Sequence, residues 1–211
     1  MKFMKPIHHQ TDRTWLILLV IPLLTGCAGY QLGSNTLYRP NIRTVHVPMF
    51  QSDSFRRNLG EQLTEAVCKQ IEKATQLIVS TLENKNKVIF CGNGGSASDS
   101  QHLSAEFLVR LRPKVNRKPL PVISLALDTS TITACGNDLG FNKIFARNLE
   151  ALGSKKDLLI AISTSGNSKN ILNVLQSAKK KKIYSICFLG NKGGLAKKKS
   201  NLNLIVPSSN T

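Results

Sequence analysis

The chain has 211 residues, 41% of them apolar, enough for one domain of ordinary size or two small ones with a sizeable core, which excludes general disorder. Twenty-nine Lys and Arg against twelve Asp and Glu leave a net charge of +17, which keeps nucleic acid or an anionic surface among the candidate partners but names no function. The five cysteines form no C-x-x-C pair and no Cys/His cluster at zinc-finger spacing, so neither a disulfide framework nor a structural zinc site is indicated.

In chain order, residues 1–27 read as an export signal: Lys2, Lys5 and Arg13 precede the apolar run 15–24, followed by Thr25-Gly26-Cys27. Ten apolar residues rising ~1.5 Å each cover roughly 15 Å, about half a hydrocarbon core, so the run is no ordinary transmembrane helix. Leu24-Thr25-Gly26-Cys27 resembles a bacterial lipobox, which makes Cys27 a candidate lipidation site and a membrane a partner only through it. The stretch 28–71, with AGYQLGSNTLYRPNIRTVHVPMFQSDSFRRNLGEQLTEAV, resembles the start of the lipopolysaccharide-assembly lipoproteins, in which a short strand such as 44–47 precedes an amphipathic helix. It reads as a fragment, because a lone strand and helix make no core.

Composition changes near residue 71. Residues 1–71 hold three Lys and five Arg against four acids, whereas 72–211 hold seventeen Lys and four Arg against eight. Leu63, Val67, Ile71, Leu77, Ile78 and Leu82 nevertheless recur at helical spacing, so one helix over 58–83 is expected to run through that seam. From Lys87 the pattern becomes strand, loop, helix, repeated. Strands are predicted at 88–91, 120–127, 158–162, 183–189 and 202–206, and helices at 96–111, 129–136, 142–152 and 170–180. Cys91, Cys135 and Cys187 lie in or beside apolar runs and read as small buried thiols. Apolar strands alternating with helices of this length predict an α/β fold, a doubly wound parallel sheet of Rossmann-like type covered on both faces.

On such sheets ligands bind at the carboxyl ends of strands, and two polar turns fall there: Gly92-Asn93-Gly94-Gly95 and Ser163-Thr164-Ser165-Gly166-Asn167-Ser168. GNGGS lacks the third glycine of the dinucleotide fingerprint and the Lys-Ser/Thr of a P-loop, so a nucleotide is not favoured. The turns share glycine, which allows close backbone approach, and hydroxyls beside helix N-termini, where free N–H groups attract a phosphate. Serine and asparagine also start helices routinely, but the four hydroxyls of Ser163, Thr164, Ser165 and Ser168 within six residues favour an anion. His102 and Glu106, four apart, project from one face of the helix after the glycine turn, and Arg110 continues the stripe. Beside a sugar phosphate, such a carboxylate can move a proton between adjacent carbons, and the imidazole can bind the same metal or the same oxygen.

The segments CGNGGSASDSQHLSAEFLVRL, LDTSTITACGNDLGFNKIFARNLEALG and DLLIAISTSGNSKNILNVLQSAK, in this order and spacing, resemble the phosphoheptose isomerases of the sugar-isomerase (SIS) family over 72–211. The resemblance implies interconversion of sedoheptulose 7-phosphate and D-glycero-D-manno-heptose 7-phosphate in the cytoplasm, for heptose supply to lipopolysaccharide, by a homotetramer, with zinc in some members. It implies substrate contacts at Asn93, Gly94, Gly95, Ser96, Asn137, Asp138, Ser163, Thr164, Ser165 and Ser168. Glu106 is implied as the base and as a metal ligand, with His102 as a second ligand. Binding proteins of the same fold generally lack this acid, so Glu106 favours an enzyme. The family continues beyond VPSSNT with a long helix carrying a glutamine and a histidine, so the expectation is a domain truncated at its C-terminus and a chimeric or incomplete coding sequence. Three alternatives stand beside the isomerase. They are a phosphosugar-binding SIS module without catalysis, an outer-membrane lipoprotein fragment anchored through Cys27, and nucleic-acid binding through Lys179–Lys182 and Lys197–Lys199. The last is disfavoured because such lysine runs are usually solvated and aromatics, at 6%, are too sparse for a stacking surface.

Overall fold

A computed structural model describes residues 59–207, with side chains from residue 64 onward. The export-type segment 1–27 with Cys27, the lipoprotein-like stretch up to residue 58 and the strand expected at 44–47 lie outside the described residues. Helix α1 (Leu59–Glu83) passes through residue 71 without a break. After it come β1 (Val88–Gly92), α2 (Gly95–Leu108), β2 (Val122–Ser124) and α3 (Thr129–Asp138). A 3-10 turn (Phe141–Lys143) leads into α4 (Ile144–Leu152), then β3 (Leu158–Ser163), α5 (Lys169–Lys181) and β4 (Tyr184–Gly190). A second 3-10 turn (Ala196–Lys198) precedes β5 (Leu202–Val206).

The five strands form one parallel sheet in the order β2-β1-β3-β4-β5, with Val88 in register between Val122 and Leu158. This is the doubly wound α/β architecture expected from the alternating pattern. Both faces are covered, which is why the strands read as continuous apolar runs. Val88, Phe90, Leu158, Ile160 and Ile186 face a cluster completed by Ala74, Leu77, Ile78 and Leu82 of α1 and Leu103 and Phe107 of α2. Their neighbours Ile89, Cys91, Leu159, Ala161 and Cys187 face the opposite side, against Phe145 and Leu149 of α4 and Ile171, Val174 and Leu175 of α5. Burying each of the larger side chains contributes about 1.5–3 kcal/mol.

Most boundaries shift by one or two residues, and two elements end three residues before the sequence expectation. The strand expected over 120–127 contracts to Val122–Ser124, because Pro121 has no N–H to donate and the Leu127 N–H turns back onto the Ser124 carbonyl at 3.4 Å. Helix α2 stops at Leu108, three residues early. The returning chain takes its last carbonyls: Leu120 N–H donates to the Phe107 oxygen at 3.2 Å, and the Arg117 guanidinium to the Glu106 oxygen at 2.5 Å.

At the amino edge of the sheet, Asp157 is 3% exposed. Its carboxylate accepts the Lys87 N–H at 3.0 Å and the Ser154 N–H at 2.7 Å, and pairs with the Lys87 ammonium at 2.5 Å, tying the starts of β1 and β3 together. No helix among the described residues is long and apolar enough to cross a membrane.

Candidate functional site

The carboxyl ends of β1 and β3 are neighbours in the sheet, and from them the chain leaves in opposite directions, to β2 on one side and to β4 on the other. That is the switch point at which open α/β sheets form a crevice. An open cleft of about 230 Å³ lies there, lined by Asn93, Ser96, Ile162, Ser163, Thr164, Ser165 and Ser168. Six of these seven carry polar side chains that the sequence singles out, and Ile162 is the addition.

The cleft wall is built by backbone geometry. Gly92 can only be glycine, because a Cβ there would stand 2.4 Å from the Ser96 carbonyl oxygen, so β1 and the first turn of α2 touch. Gly94 has φ +54 and lets the chain reverse into α2. In the other turn the Gly166 N–H donates to Ser163 Oγ at 3.1 Å and the Asn167 N–H to Ser165 Oγ at 3.2 Å. Each hydroxyl therefore spends a lone pair on the backbone and keeps its O–H as a donor. Ser168 begins α5 but its side chain makes no capping bond, so its hydroxyl does not serve the helix. The result is a cradle of donors beside a helix N-terminus, suited to a phosphate.

The cradle is braced by a segment that sequence reasoning missed, Gly190 to Ala196. The Ala196 N–H donates to the Gly166 oxygen at 2.9 Å and the Leu195 N–H to Asn167 Oδ1 at 3.0 Å. A Cβ on Gly166 would stand 2.2 Å from the Gly193 oxygen, and one on Gly194 2.4 Å from the Ser165 oxygen. Asn170, also missed, is 2% exposed and exchanges two hydrogen bonds with Asn93. The N-K-G-G run offers a turn signal, but nothing in one sequence reports that it packs on a loop some twenty-five residues earlier.

Of the other candidates, Gly94 and Gly95 sit exposed at the mouth of α2, where a side chain would meet open space beyond its immediate neighbours. Asn137 and Asp138 end α3 exposed, with Asn137 Nδ2 donating to Asp138 Oδ1 at 2.8 Å, and they do not line the cleft. Asp128, which accepts from Ser130 and Thr131, starts that helix, and the Thr131 hydroxyl holds its carboxyl below the ordinary range. His102 Nε2 lies 3.4 Å from Glu106 Oε1; the imidazole is largely exposed and the carboxylate three-quarters buried. Neither lines the cleft. Glu106 stands ten residues after Ser96, about 15 Å along the helix axis, and helical side chains lean back toward the N-terminus.

Thiol chemistry is not available at the cleft. Burial raises the Cys91 thiol far above its ordinary value, and Cys187 to about 11, so both stay protonated near neutral pH.

The SIS domain family model matches residues 54–190. A phosphoheptose isomerase of Helicobacter pylori is 48% identical over 147 residues, covering 70% of this chain and 76% of the relative. The chain belongs to the phosphoheptose isomerase family of SIS proteins. A Campylobacter concisus phosphoheptose isomerase is 50% identical over 141 residues, 67% of this chain and 74% of the relative. Among solved structures, a phosphoheptose isomerase of Francisella tularensis matches with a TM-score of 0.65 at 38% identity, covering 71% of this chain and 81% of that one. One from Neisseria gonorrhoeae matches with 0.63 at 34%, covering 72% and 80%. The family gives the cradle its context: a SIS domain whose hydroxyl-rich turn lies at the switch point of the sheet.

Proposed function

We propose that this phosphoheptose isomerase family member interconverts sedoheptulose 7-phosphate and D-glycero-D-manno-heptose 7-phosphate in the cytoplasm. The observation that carries the reading is the donor-lined cleft at the switch point, opened by the same helix that bears Glu106. The phosphate rests in the 163–168 turn, so that its binding energy positions the far end of the sugar. Glu106 takes the C1 proton of the ketose, giving an enediolate, and returns it to C2. A second acid/base carries the hydroxyl proton from O1 to O2. Glu106 stands about 15 Å beyond Ser96 along α2, and its long side chain leans back toward the helix N-terminus and the cleft.

Zinc fits this site in part. His102 and Glu106 present a nitrogen and an oxygen on one helix face, donors of the kind zinc takes, while no group of three His, Cys, Asp or Glu comes together among the described residues. The two would supply part of a ligand set completed from elsewhere, and a bound zinc would polarise the substrate carbonyl. We further propose a homo-oligomer, a tetramer as the family resemblance implies, since Leu108, Val109, Leu111 and Val115 stand exposed just after the His102–Glu106 pair. Contact with nucleic acid or, without lipidation of Cys27, with a membrane forms no part of this reading.

The test is turnover of sedoheptulose 7-phosphate by the full chain and by Glu106→Gln. Loss of the proton-transfer group lowers kcat by about 10²-fold or more, with Tm unchanged. Saturable binding without turnover in the parent protein replaces the isomerase with a phosphosugar-binding module, and full activity in Glu106→Gln removes the assigned base.

A further inference from the structure

An amide pair between Asn93, which lines the cleft, and the buried Asn170 behind it joins the two halves of the cleft. Asn170, in the first turn of α5, is 2% exposed. Its Oδ1 accepts the backbone N–H of Ile171 at 2.9 Å. A peptide N–H can only donate, so this bond fixes which end of the Asn170 amide is oxygen. The same Oδ1 accepts from Asn93 Nδ2 at 2.9 Å, and Asn170 Nδ2 donates to Asn93 Oδ1 at 2.8 Å. Turning the Asn93 amide over would set nitrogen against nitrogen and oxygen against oxygen and lose both bonds. The orientation of Asn93, which lines the cleft, is thus dictated by the backbone of α5, 77 positions further along the chain.

An asparagine amide has two N–H donors and an oxygen with two lone pairs. The pair consumes one of each, leaving Asn93 a single N–H and a single lone pair. We propose that Asn170 is a positioning residue, which holds the Asn93 amide in one orientation and one place so that its remaining N–H is set in advance for the substrate. Asn170 itself does not line the cleft. This inference deepens the isomerase reading and rests on it for the identity of the ligand.

The experiment compares the full chain with Asn170→Leu, nearly isosteric and without polar atoms, and Asn170→Asp. KM and kcat for sedoheptulose 7-phosphate are measured beside Tm and the side-chain amide NMR signals of Asn93. Asn170→Leu is expected to raise KM about 10- to 100-fold, the range for a misplaced bond to a charged ligand. Near neutral pH, Asn170→Asp opposes a carboxylate oxygen to Asn93 Oδ1. Protonation restores a donor in the same place, so its KM divided by that of the parent must fall as pH is lowered. A role in stability alone predicts a lower Tm with KM unchanged.

The proposal is overturned if folded Asn170→Leu keeps the parent KM, or if the Asn170→Asp ratio is flat with pH. The second variant decides should the first fail to fold. If the parent chain neither binds nor turns over the substrate, the isomerase reading fails, and the NMR signals judge the pair by themselves. In Asn170→Asp at neutral pH, the Asn93 amide protons must shift and exchange faster with water. Signals identical to the parent overturn the lock as well.

Discussion

Replacing Gly166 by alanine tests whether the cradle depends on close backbone contact. The new Cβ would stand 2.2 Å from the Gly193 carbonyl oxygen, whereas real Cβ atoms essentially never approach within 3.0 Å. The two loops must separate by close to 1 Å, and the three nearest atoms, all of Gly193 and Gly194, are backbone, so no side chain can rotate away. Gly166 also has φ +64, which costs an alanine roughly 1–2 kcal/mol. The separation stretches the 2.9 Å bond from the Ala196 N–H to the Gly166 oxygen, worth about 1 kcal/mol more. Gly166→Ala should therefore lose on the order of 2–3 kcal/mol in urea unfolding. Because Ser165 adjoins the displaced residue and Ser163 Oγ accepts its N–H, kcat/KM for sedoheptulose 7-phosphate should fall by up to about 10²-fold, the scale of a 1 Å misplacement. Gly136→Ala is the control: it lies within α3 with nothing within 4 Å of its Cβ, and should be neutral or slightly stabilising. Parent-like stability and kcat/KM in Gly166→Ala would refute the argument that the 190–196 segment braces the cradle.

Ser168→Ala should leave stability within about 0.5 kcal/mol, since the hydroxyl makes no capping bond, while raising KM; a drop in Tm with unchanged KM would return this serine to a helix-starting role. Asp157→Ala strands the N–H groups of Lys87 and Ser154 and the half-buried ammonium, and should cost about 3 kcal/mol in urea unfolding. Cys91 and Cys187 ionise far less readily in the fold than in the unfolded chain, where a thiol titrates near 9.0. The unfolded chain therefore releases protons first, and stability should decline as pH rises above about 9. A Cys91→Ala/Cys187→Ala variant should show a flatter alkaline limb, and an unchanged slope would assign the decline to other groups.

The buried strands were legible because a parallel sheet covered on both faces leaves an unbroken apolar signature, as in Leu158 to Ile162. The hydroxyl turn was legible because four donors in six residues exceed what a helix start needs. Strand order was not, since the periodicity of β1 does not say whether β2 or β3 lies beside it; both do. Ends were misread where distant groups decided them, as when Arg117 and Leu120 took the carbonyls that ended α2. The bonding of Asn170 to Asn93 leaves no local trace at all, because each asparagine taken singly reads as an ordinary turn or cap residue.

The strands that bear the cleft occupy interior positions in the sheet, β1 held between β2 and β3, and β3 between β1 and β4. Among the described residues, only β2 and β5 have an unpaired margin within the sheet. Fraying begins at such margins, so amide protons of β2, three residues long, should exchange well before those of Phe90 or Ile160. The platform under the sugar phosphate would then outlast partial opening of the molecule, and warming should erode the rim of the sheet before it loosens the grip on the ligand.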